Sequence, residues 1–100
     1  MNGPLTTENR LGAYLRDRRA RLDPIALGFA SARRRTPGLR REEVAQRAHI
    51  SATWYTGLEQ GRGGAPSADV LDRIARALML TDVEREHLFL LGLGRAPEPR

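Results

Sequence analysis

The chain has no cysteine, which removes disulfides, thiolate zinc sites and cysteine nucleophiles together. Lysine is missing as well, so all 17 basic residues are arginine. The planar fork of arginine suits phosphates and base edges, and GC-rich coding also produces such a bias. Aromatic residues make up 5% and hydrophobic residues 40% of the 100 positions. That is enough for the modest core of one domain and too little for a deep substrate cavity. No stretch approaches the ~20 apolar residues of a membrane span, and no apolar run of signal-peptide length opens the chain. The expected location is therefore cytoplasmic, without membrane attachment. His49 and His87 stand far apart, with no partner ligands at metal-binding spacing, and read as surface or half-buried residues. Neither a metal nor a cofactor is expected. No carboxylate pair or nucleophile with a base is found at workable spacing, which argues against an enzyme.

Net charge is +5, and its distribution says more than its total. Residues 1–62 hold 12 arginines against six acids, whereas residues 63–100 hold 5 arginines against six acids. The positive excess belongs to the first part of the chain, where a polyanion would be met.

Hydrophobic spacing predicts five helices and no strand. Leu11, Tyr14, Leu15 and Leu22 define a first helix from about Glu8 to Arg21, ended by Pro24. The connection Asp23 to Gly38 carries Ile25, Leu27 and Phe29, which either tuck onto the core or form a short helical turn. The run Arg33-Arg34-Arg35 follows, and it reads equally as a charged solvated loop or a phosphate contact. A second helix starts at Arg40 or Arg41, with Glu42 and Glu43 in its first turn, where the helix dipole favours negative charge. Ser51 is a natural N-cap for a third helix, and Gly61 a natural stop. The loop Arg62-Gly63-Gly64 resembles a phosphate cradle only superficially, since no strand precedes it and no Gly-Lys-Ser/Thr follows. Pro66-Ser67 introduces a fourth helix with Val70, Leu71, Ile74, Ala75 and Leu78 inward, and Thr81 with Glu84 forms a capping box for a fifth, reaching Leu91 or Leu93. The divisions expected are a flexible N-terminus over 1–7, one all-α domain over 8–93, and a tail or linker over 94–100. No internal repeat is visible.

Within this series, Leu39 to Gly61 joins two short helices through a turn at His49-Ile50-Ser51. Val44, Ala45 and Ala48 share one face of the first, and Ile50, Tyr55 and Leu58 one face of the second. Ala45 sits where the backbones would cross most closely, a place for a side chain no larger than a methyl. This is the outline of a helix-turn-helix that reads double-stranded DNA, with Thr53 and Thr56 pointing outward.

The chain resembles the Xre or lambda-repressor-like helix-turn-helix family over about Leu11 to Leu91. The words that carry the likeness are Glu42-Glu43-Val44-Ala45, Ile50-Ser51, Leu58-Glu59-Gln60-Gly61-Arg62, Pro66-Ser67 and Ile74-Ala75-Arg76-Ala77-Leu78. Arg35-Thr36-Pro37-Gly38-Leu39-Arg40-Arg41 and Trp54-Tyr55-Thr56 are similar to the MmyB-like regulators of actinobacteria. In that group a larger ligand-binding domain usually follows, and the resemblance leaves open whether these 100 residues are a fragment of such a regulator or a stand-alone relative. The resemblance implies a five-helix domain, with Ala52, Thr53, Thr56 and Gly57 as the groove-facing positions. Ala52 and Gly57 bring no side-chain hydrogen bond, and Gly57 departs from the larger residue expected there. Ala52 could still meet a thymine methyl, and Thr53 a base edge. Arg41, at a position commonly glutamine, is implied as a phosphate contact. Arg19 and Glu59 match a position pair that forms a salt bridge between the first and third helices. Trp54 has two readings: packing across the edge of the core, or lying against the sugar-phosphate backbone.

The reading expected from all this is a DNA-binding transcription regulator, with Arg33, Arg34, Arg35, Arg40, Arg41, Trp54 and Arg62 on phosphates. A homodimer is expected, with Leu88, Phe89 and Leu91 of the strongly apolar last helix contributing to the contact or to docking of a further domain. The alternative is an antitoxin-like or adaptor module that uses that last helix as its working surface.

Overall fold

The computed structural model describes residues 9–30, 33–62 and 64–98. They form α1 (Arg10–Ala20), α2 (Arg41–Ala48), α3 (Ala52–Glu59), α4 (Ala68–Ala77) and α5 (Asp82–Leu93), with no strand among the described residues. The expected flexible segment 1–7 and Glu8 lie outside the described residues, as do the last two positions of the expected tail. No described helix is long and apolar enough to cross a membrane.

Four of the five helices start where a short polar side chain can take up free backbone amides. Asn9 accepts from the Gly12 amide, Ser51 from Trp54, Ser67 from Val70, and Thr81 from Glu84. Glu84 returns the bond to the Thr81 amide at 2.9 Å, closing the capping box. The start of α2 is arranged differently, with the Glu43 carboxylate accepting the Arg40 amide at 2.7 Å.

The core collects one face of every helix. Leu15, Leu39, Val44, Ala45, Ala48, Tyr55, Leu58, Leu71, Ile74, Ala75, Leu78, Leu88 and Phe89 are all buried. Two of these correct an expectation. Leu88 and Phe89 are packed inside their own domain, because α5 lies on α1 and α4, so neither is offered to a second chain. Leu91 is half-buried, and the large apolar side chains that α5 shows to solvent are Val83 and Leu90, 76% and 47% exposed. The connection between α1 and α2 folds back in tight turns around Pro24, whose carbonyl accepts from Leu27 and Phe29. Leu27 and Phe29 pack on the core edge while Ile25 stays exposed.

The turn between α2 and α3 recurs between α4 and α5. At the first, His49 adopts φ 58°, the Ile50 amide reaches back to Ala45, and Ser51 caps the next helix. At the second, Met79 adopts φ 57°, the Leu80 amide reaches back to Ala75, and Thr81 caps. The sequence hides this likeness because the two tripeptides share no residue. Both left-handed positions are held by side chains that disfavour the conformation. His49 is exposed and makes no side-chain hydrogen bond among the described residues. Replacing His49 with Gly is expected to stabilise the domain by about 1 kcal/mol, read as a raised urea midpoint with an unchanged slope.

Candidate nucleic-acid interface

One side of α3 is fixed and the other is open. Tyr55, Leu58 and Glu59 are buried, whereas Ala52 and Thr53 are exposed and Thr56 and Gly57 half-exposed. The four groove-facing positions inferred from sequence thus fall on the accessible side of one helix. Trp54 packs on the edge of the core, the first of its two readings, and it lines a surface recess of about 400 Å³ with Ser51, Thr53, Gly57 and Arg62. Arg62 is exposed and donates to the Gln60 side chain.

A second, basic cleft of about 450 Å³ opens beside the start of α2, lined by Arg19, Arg33, Arg34, Arg35, Thr36, Arg40, Arg41 and Glu42. Its arginines are not equivalent. Arg33, Arg35 and Arg40 are exposed, and Arg40 reaches the Arg33 carbonyl oxygen at 3.4 Å. Arg34 corrects the sequence reading, which gave it to phosphate. Its guanidinium pairs with both oxygens of Glu43 at 2.9 and 2.8 Å and donates further to the Ala30 and Gly38 carbonyls. With its donors so engaged and its side chain 11% exposed, Arg34 staples the long connection onto α2. The hydrogen bond from Arg34 holds the Glu43 carboxyl below its ordinary range, against the opposing effect of burial.

Arg41 sits between cleft and core. Its Nε donates to Glu59 Oε1 at 3.0 Å, and the side chain remains 38% exposed. Glu59 itself is fully buried and also takes Arg19, whose Nε and Nη2 reach its two oxygens at 2.7 and 2.9 Å. A third Arg19 donor meets the Leu39 carbonyl at 2.8 Å, so this one side chain joins α1, α3 and the approach to α2. Burial opposes ionisation of Glu59, and the Arg19 and Arg41 bonds outweigh it, keeping the carboxyl below its ordinary range. Burial, with Glu59 nearby, pushes the Tyr55 phenol far above its ordinary range, so the ring stays neutral in this charged setting.

The backbone end of Glu59 is held too, and sequence reasoning missed the residues that do it. Asn9 and Arg16 both donate to the Glu59 carbonyl oxygen. Gly12 lets α1 come this close, since a Cβ there would collide with that same oxygen and with Asn9. The Asn9-to-Gly12 spacing is visible as a cap signal, but the steric demand arises only across α1 and α3.

Two outcomes follow from the charge cluster. Arg19→Ala leaves a buried carboxylate short of its main partner and is expected to destabilise the fold by about 3–5 kcal/mol in denaturant titration. Because the folded carboxyls of Glu43 and Glu59 ionise below their ordinary range, their stabilisation is complete above the unfolded value near pH 4.5. It is lost as pH falls through the depressed folded values. The urea midpoint is expected to drop steeply below pH 4.5, and Glu43→Gln should make that drop shallower.

No curated protein and no solved structure matches the chain. A family model described as a helix-turn-helix domain matches residues 10–88, from the first turn of α1 into α5. With α2, the His49-Ile50-Ser51 turn and α3 inside that match, the chain belongs to the helix-turn-helix domain family.

Proposed function

We propose that this chain is a sequence-specific, double-stranded DNA-binding transcription regulator of the Xre or lambda-repressor-like group, closest to the MmyB-like regulators. The observation that carries the reading is the division of α3: its inner side is locked to α1 and α2 through Glu59, while Ala52, Thr53 and Thr56 stay accessible beside a recess rimmed by Arg62. A helix-turn-helix docks with its second helix in the major groove and its surroundings on the phosphate backbone. Here Thr53, with Ala52, Thr56 and Gly57, faces the base edges. Arg33, Arg35, Arg40, Arg41 and Arg62 face phosphates, with the Trp54 indole at the groove margin. Phosphate contacts set register and most of the affinity, and base contacts discriminate.

Two copies on a palindrome place their α3 helices about 34 Å apart. The adaptor alternative loses much of its basis, since Leu88 and Phe89 lie in the domain's own core.

Selection of duplexes from a random pool at ~0.15 M salt, where the Debye length is about 8 Å, is expected to return a palindromic site. On that site Thr53→Ala should cost about 1–3 kcal/mol while leaving random duplex unaffected. Arg35→Ala should weaken all sequences alike and flatten the salt slope by about one unit. Arg34→Ala instead should lower the melting midpoint. Recovery of no preferred sequence would overturn the reading.

A further inference from the structure

The floor of the α3 recess is a glycine that the fold does not require. Gly57 lies inside α3, where glycine is a poor helix former. A Cβ placed on it has one neighbour within 4 Å, the Arg62 carbonyl oxygen at 3.5 Å, which is an ordinary contact. The helical glycines Gly12 and Gly92 differ, because a Cβ at either collides with a neighbouring element. Internal packing therefore explains Gly12 and Gly92 and leaves Gly57 unexplained. The space kept open at Gly57 faces outward, into the recess of about 400 Å³.

The walls of that recess have a mixed chemistry. Trp54 is anchored on the core and offers an apolar wall, and the exposed Thr53 brings a hydroxyl. The Ser51 hydroxyl is engaged by the Trp54 amide as a helix cap at 2.9 Å, and Arg62 adds positive charge at the rim. Among the edges presented in the major groove, guanine offers two acceptors, adenine an acceptor and a donor, and cytosine a donor. Thymine alone combines an apolar group, its C5-methyl, with an acceptor, O4.

We propose that the recess formed by Thr53, Trp54 and Gly57 is a thymine-reading site, with the C5-methyl against the Gly57 backbone and the Trp54 ring and O4 accepting from the Thr53 hydroxyl. This rests on the reading that α3 enters the major groove, and it names the base that α3 selects there. Gly57 is then a specificity-determining position through the side chain it lacks.

The test uses the full chain and the duplex returned by selection, with each thymine replaced in turn by uracil, which removes the methyl and keeps O4. One thymine per half-site is expected to show weaker binding on replacement, by about fourfold for one buried methyl. Gly57→Ala fills the floor and is expected to bind thymine and uracil equally at that position, with a melting midpoint at or above that of the wild type. A flat uracil scan on a clearly selected site overturns the proposal, and so does methyl sensitivity that persists unchanged in Gly57→Ala. Failure to select any site is a different result, and it removes the DNA-reading premise itself.

Discussion

A buried carboxylate must find positive charge, and in this domain the demand of Glu59 organises three helices. Arg19 comes from α1 and Arg41 from the start of α2, and both meet the side chain that closes α3. The Glu59 carbonyl is held at the same time by Asn9 and Arg16. Side chain and backbone of one residue are thus tied to the same neighbouring helix. The orientation of α3, and with it the direction in which Thr53 points, follows from that double attachment. An ammonium group could not fully replace Arg19, which uses three donors in fixed directions to reach Glu59 and Leu39.

Much of the arginine in this chain works inward. Arg18 pairs with Glu84, Arg85 with Asp72, and Arg47 donates to the Ala77 carbonyl, fastening α1 to α5, α4 to α5, and α2 to α4. The positive excess of residues 1–62 is therefore a correct description of the field without being a roster of phosphate contacts. Three adjacent arginines divide accordingly: Arg34 closes on Glu43, while Arg33 and Arg35 remain exposed at the rim of the cleft. Glu43 does two jobs there, holding the Arg40 amide and the Arg34 fork together.

The helices were legible because their signals are local. Ser51, Ser67 and Thr81 cap where polar residues precede an apolar repeat, and Gly61 stands in the left-handed conformation (φ 74°) that its position implies. The accessible side of α3 followed from the spacing of Tyr55 and Leu58. What stayed hidden was set by contacts distant in sequence. Nothing near Gly12 reveals that Glu59 will press against it, and nothing in the run from Leu88 to Leu91 tells which members α1 and α4 will cover. Arg34 could not be separated from its neighbours by charge pattern, since the carbonyls of Ala30 and Gly38 that select it depend on the path of the loop.

The shared carboxylate has one more effect. Both cations of Glu59 border the basic cleft, but Arg41 does so with a side chain 38% exposed, whereas Arg19 is 14% exposed and holds both carboxylate oxygens from within. An anion drawing Arg41 outward leaves Glu59 with its stronger cation still in place. The buried carboxylate thus has a spare counter-charge, one cation inside the domain and one at its surface.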